Sequence, residues 1–122
     1  MQRVGQDLFR WALLDYWQGR CCVTGLAVPE LLRASHIKPW ASCDSDEERL
    51  DVFNGFLLAP HLDALFDGGW MTVQLDGSLL FSTSLATDAR QLLGLNEGIA
   101  VVGLTEAHQY YLKFHHHGVF RH

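Results

Sequence analysis

No apolar run in this 122-residue chain approaches the ~20 residues that a membrane-spanning helix requires, so a helical anchor is excluded. The opening Met1-Gln-Arg-Val-Gly-Gln-Asp7 also lacks the apolar stretch of a secretion signal, and a cytoplasmic location is expected. Cysteine is scarce: Cys21 and Cys22 are adjacent, Cys43 is alone, and no Cys-x-x-Cys pair occurs. That pattern supports neither a disulfide framework nor a structural zinc site, and leaves the thiols as buried or idle groups. Basic residues are few, with nine Lys and Arg against fourteen Asp and Glu and a net charge of −5. That charge has the wrong sign for bulk electrostatic attraction to nucleic acid and counts against a DNA substrate, although bound divalent cations offset part of it and local basic residues can still form a stripe. Repeats, low-complexity tracts and linkers are also lacking.

What is present is a globular composition, with 48% hydrophobic and 19% charged residues. A chain of this length buries roughly two thirds of its unfolded surface, so residues 1–122 are expected to form a single domain of α+β class.

Leu8, Phe9, Leu13 and Trp17 lie near helical spacing within residues 5–18, and Gly19 is the expected stop. Cys22-Val-Thr-Gly25 reads as a short strand or turn. Residues 31–37 run extended into Pro39, which biases Lys38 away from the helical region. The polar stretch 41–52 reads as a loop ending in Asn54-Gly55, a dipeptide suited to a tight turn. A second strand follows at 56–59, then a helix from Pro60 with Leu62, Leu65 and Phe66 as its apolar face and Gly68-Gly69 as its end. Residues 70–75 and 78–81 flank Asp76-Gly77, the clearest hairpin signal. A helix is expected over 87–93, a strand at Val101-Val102 and a closing helix over 105–114.

Chemistry-bearing residues concentrate in the middle of this pattern. Histidine suits a general base near neutral pH, and His36 sits on extended chain just before a forced turn. Asn54 is placed to pin the intervening loop or to offer its amide oxygen to the His36 ring. Asp63 and Asp67 are four residues apart, so a helix from Pro60 puts both on one face, within reach of one cation. His61 is about 200° around that helix from Asp63 and points elsewhere. His115-His116-His117 cannot easily chelate one ion, because consecutive helical residues diverge by about 100°; surface or phosphate-backbone contact is the expectation. Arg10, Arg33, Lys38 and Lys113 are candidate phosphate contacts. Trp40 and Trp70 are expected to fill core.

Taken together, Gly5-Gln6 with Phe9-Arg10, Cys22-Val-Thr24-Gly25, Ala34-Ser35-His36-Ile37, Asn54-Gly55-Phe-Leu-Leu58 and Leu65-Phe66-Asp67 resemble the HNH endonuclease family, in its branch without zinc-binding cysteines. The resemblance spans residues 4–83. It implies a ββα-metal (His-Me finger) core over about 31–69, with flanking helices and an additional β-hairpin. It also implies a metal-dependent hydrolysis of DNA phosphodiesters. His36 matches the general base, Asn54 the orienting asparagine, and Asp63 and Asp67 the helix ligands. Relatives commonly carry an acidic residue and then a histidine where this chain has His61 and then Asp63, so Asp63 takes the place of the final histidine. Ser35 stands where many relatives carry a metal-binding aspartate or histidine, and with His61 completes the candidate ligand set. Oxygen ligands suit a hard divalent cation, magnesium or manganese, with nickel or zinc as further candidates.

Relatives of this branch are often nuclease parts of restriction-like or defence proteins, so a homodimer or a fused or separate target-recognition subunit is an expected partner beside DNA. The alternative is a non-catalytic nucleic-acid or protein-interaction module on a degenerate scaffold, favoured by Ser35, the displaced histidine and the acidic charge. A serine hydrolase is disfavoured: there is no Gly-x-Ser-x-Gly elbow, and Ser35 and His36 point to opposite faces of a strand.

Overall fold

Phe9, Leu13 and Trp17 recur every four residues and are all buried; Phe9 and Leu13 define the inward face of α1 (Gln2–Tyr16), and Trp17 continues it just past the helix end. Leu8, expected on that face, is instead 48% exposed, because the stripe set by Phe9 and Leu13 turns position 8 toward solvent. The helix ends where Gln18 and Gly19 adopt left-handed backbone and the Gly19 amide returns to the Leu14 carbonyl. The computed structural model describes residues 2–95 and 98–122.

β1 (Arg33–His36) pairs antiparallel with β2 (Gly55–Leu58), in the register Arg33 to Leu58 and His36 to Gly55. Every residue of β2 is buried, since α1 packs on the hairpin and α3 (Pro60–Asp67) packs on β1. Pro60 opens α3 at a position that needs no amide donor, and Leu62, Leu65 and Phe66 form its buried face. This strand–loop–strand–helix unit is the core of an α+β fold.

Between the strands the expected polar loop contains a helical turn, α2 (Asp46–Leu50). Ser45 caps it by accepting the Glu48 amide at 3.3 Å. The signal was the Ser-x-x-Glu spacing at 45–48, which the charge density around it obscured. Asn54-Gly55 is not a tight turn either. Asn54 closes a 3-10 turn, and Gly55 is extended at φ −158°.

A second hairpin joins β3 (Met71–Val73) and β4 (Leu79–Phe81), with Gly77 at φ 94° in its turn. Val101-Val102 forms no strand. The chain there makes an isolated bridge between Ser78 and Ala100, and the Val101 amide bonds the Gly77 carbonyl. α4 (Thr87–Leu92) is short and has no buried residues. No helix among the described residues is long and apolar enough to cross a membrane.

The closing helix, α5 (Glu106–Gly118), runs four residues beyond the expected end and carries all three consecutive histidines. His115 is not a surface contact. Its ring stacks on Phe66 at 3.8 Å, its Nε2–H donates to the Phe66 carbonyl, and its Nδ1 accepts the Thr72 hydroxyl, both at 2.8 Å. At the other end of α5, the His108 Nδ1 accepts the Thr105 amide in a capping box, and its ring is packed among Tyr16, Trp17, Phe53 and Phe56.

Burial lowers the pKa of both histidines, to about 4 for His115. The unfolded chain then takes up these protons near the ordinary histidine value, before the folded chain does. Their contribution is complete above about pH 6.5 and is lost as pH falls toward 4, on the order of 3 kcal/mol for His115 alone. Urea unfolding at a series of pH values should show this decline, and His115→Gln should flatten it. An acid dependence unchanged in His115→Gln would contradict the assignment.

Candidate functional site

The pairing register of the first hairpin divides the candidate residues between two faces. Ser35 pairs with Phe56, whose ring meets Phe66 of α3 at 5.5 Å, so Arg33 and Ser35 share the α3 face. His36 pairs with Gly55, and its ring stacks on Phe9 of α1 at 3.8 Å and 11°. A Cβ at Gly55 would lie 2.4 Å from Phe9 Cζ and 2.9 Å from Leu13 Cδ2. The absent side chain at 55 is thus what admits the ring that backs His36.

His36 is half-buried between Phe9 and the edge of Trp40, and its Nε2 lies 2.8 Å from the Arg49 carbonyl oxygen. A carbonyl only accepts, so the neutral ring carries its proton on Nε2 and keeps a lone pair on Nδ1. Burial lowers the His36 pKa, against a smaller opposing effect of the Arg49 carbonyl, and this favours the neutral, basic form. His36 lines a cleft of about 370 Å3 with Gln6, Asp7, Phe9, Arg10 and Ala34. A neighbouring groove of about 420 Å3 between Val4, Leu8, Trp40 and Leu50 is largely apolar and does not include His36.

The loop that presents the Arg49 carbonyl is pinned by Asn54. This fully buried amide accepts the Lys38 amide at 2.7 Å and donates to the carbonyls of Lys38 and Glu48 at 3.3 and 3.1 Å. These bonds go to loop backbone, so Asn54 acts on His36 through the loop. The Arg49 guanidinium belts the same turn through the carbonyls of Trp40 and Cys43.

On the other face, Asp63 lies beside Ser35, Asp67 and Arg33. Burial is the main cause of its raised pKa, the Asp67 charge raises it further, and the Ser35 hydroxyl and Arg33 lower it. A half-buried carboxylate facing a second one is relieved by a cation, so Asp63 and Asp67 fit a hard divalent ion, with Ser35 adjacent. His61, in the first turn of α3, is not among the groups acting on Asp63. Among the described residues no cluster of three or more His, Cys, Asp or Glu converges, so such an ion would keep a largely aqueous shell.

The candidate phosphate contacts separate by what their charges already hold. Lys38 is 4% exposed and bonds Glu48 at 2.9 Å and Asp44 at 3.2 Å, so it is an internal ion-pair member and not a surface contact. Arg10 is likewise committed, with its two terminal nitrogens donating to the carbonyls of Leu32 and Pro29 at 2.8 and 2.7 Å. Arg33 and Lys113 are exposed. Trp40 and Trp70 are half-buried, each beneath an arginine, Arg49 and Arg121 respectively. Arg49 is not legible as a site residue in the sequence, because its contribution is a backbone carbonyl that no side-chain pattern reports. Phe9 was expected only as core.

Strand, pinned loop, strand and carboxylate-bearing helix together define a ββα unit with a histidine at the end of its first strand. Residues 21–74, which contain that unit, match the family model described as HNH endonuclease. The match supports HNH family membership for this segment, and nuclease activity is the general function of that family. No curated protein matches the chain.

Because Gly55 makes room for Phe9, Gly55→Ala should cost about 1–3 kcal/mol by overpacking a buried contact. Chemical denaturation would measure it, and an unchanged midpoint would mean that the Phe9–His36 stack does not depend on residue 55.

Proposed function

We propose that the chain is a metal-dependent HNH endonuclease that hydrolyses DNA phosphodiesters, with His36 as the general base. The observation that carries this reading is the Nε2–H bond to the Arg49 carbonyl, which leaves the His36 Nδ1 lone pair to accept a proton. In the reaction Nδ1 takes a proton from water as its oxygen attacks phosphorus, the phosphodiester bond to the leaving oxygen breaks, and that oxygen is protonated from solvent. Asp63 and Asp67, with Ser35 beside them, hold the cation in this reading. When bound, a magnesium or manganese ion supplies positive charge to the phosphate and to the leaving oxygen. Asn54 holds the loop that orients the base.

Arg33 and Lys113 are the cations from the candidate set left for phosphate contact. With so few, target selection falls to a second copy or to a recognition subunit, and the acidic net charge makes binding dependent on divalent ions. A specific observation favours the second reading, a non-catalytic interaction module: Ser35 and His36 project from opposite faces of β1, and the acidic ligand set stops at two carboxylates.

Nicking of supercoiled plasmid in magnesium, manganese or nickel separates the two. The nuclease reading predicts activity that EDTA abolishes and that His36→Ala lowers by about 10²–10⁴-fold without unfolding the protein. Intact plasmid under all three metals would favour the interaction module.

A further inference from the structure

The two carboxylates that flank Arg49 are both tied to α5, which lies outside residues 21–74. Tyr110 donates its hydroxyl to Glu48 Oε2 at 3.1 Å, and Tyr111, the next residue, donates to Asp51 Oδ2 at 2.6 Å. The other Glu48 oxygen accepts the buried Lys38 ammonium at 2.9 Å and the Asp44 amide at 2.8 Å. Asp51 Oδ1 accepts the Phe53 amide at 3.0 Å and so caps the turn that leads to Asn54. The Lys38 ammonium also lies over the rings of Tyr110 and Phe114, at 5.7 and 5.2 Å. The turn that carries the Arg49 carbonyl is therefore fastened on both sides of Arg49 by one distant helix, and from below by a lysine two residues after His36.

Such fastening supplies what the loop lacks. A five-residue helix is too short to be stable by itself, and its exposed residues leave it free to shift unless tertiary bonds hold it. A buried charge pair is weak as a source of stability but costly to break, which makes Lys38–Glu48 a device for fixing position. Two successive tyrosine hydroxyls on one helix set the height of that device against the rest of the fold.

We propose that Lys38, Glu48, Tyr110 and Tyr111 are positioning residues for His36: α5 holds the Asp46–Leu50 turn through Glu48 and Asp51, so that the Arg49 carbonyl keeps the imidazole in its Nε2–H tautomer. The proposal rests on the reading of His36 as the base for its catalytic consequence, while its structural content stands without it.

The test is 15N NMR of ring-labelled histidine in the metal-free full chain, with His36→Asn to assign the signal. Tautomer populations are compared in the wild type, Glu48→Gln and the double variant Tyr110→Phe/Tyr111→Phe. The wild type should show His36 as a single Nε2–H tautomer, and both variants a mixture of the two. The double variant removes only hydroxyl groups, and its amide spectrum reports whether the fold is kept. In plasmid nicking it should lower kcat about 10–100-fold with little change in KM, as loss of a group that orients a catalytic histidine does. A folded double variant that retains the single Nε2–H tautomer would overturn the proposal. A wild type inactive in nicking, with the single tautomer in the wild type and the mixture in both variants, would overturn the nuclease reading and leave the positioning role standing.

Discussion

A buried carboxamide must fill its hydrogen-bonding positions or pay for leaving them empty, and Asn54 fills them with the backbone of the loop between the first two strands. The rest of the candidate site depends on that constraint. With the Lys38 amide and the carbonyls of Lys38 and Glu48 drawn to one side chain, the turn between them is fixed, and the Arg49 carbonyl meets the His36 ring. Phe9 backs the same ring from α1 across a position where only glycine fits. An imidazole held by one carbonyl and one stacked ring has its tautomer set before any substrate arrives.

The strand that carries His36 also separates chemistry by face. Alternation along β1 sends Ala34 and His36 toward α1, and Arg33 and Ser35 toward α3 and its carboxylates. In the proposed nuclease reading, His36 and the Asp63–Asp67 pair serve one reaction only if the substrate crosses the end of the strand between the two faces. The cleft beside His36 is lined by residues of α1 and β1. The same geometry underlies both proposed readings, because a substrate that does not cross that edge meets only one of the two faces.

Local chemistry was legible in the sequence where it acts over a few residues. Asp76-Gly77 located the second hairpin, Pro60 and the Leu62, Leu65, Phe66 spacing located α3, and the His36 and Asn54 motifs located the loop they bound. Long-range partners were not legible. Lys38 has the composition of a phosphate contact, and nothing near it reports that Glu48 and the rings of Tyr110 and Phe114 enclose its ammonium. His115 reads as one of three surface histidines until the length of α5 and its packing on Phe66 are known. Gly55 reads as a turn former by propensity, whereas its role comes from the approach of another helix. The two tyrosines tied to Glu48 and Asp51 sit some sixty residues further along the chain, beyond the reach of any motif.

In the proposed nuclease reading, a cation on the α3 face of β1 works with the histidine on the opposite face. Calorimetric titration of the metal-free protein with manganese shows whether that cation binds there. One binding event is expected, lost in both Asp63→Ala and Asp67→Ala and kept in His36→Ala. Binding that survives both aspartate substitutions, or the absence of binding in the wild type, would contradict it.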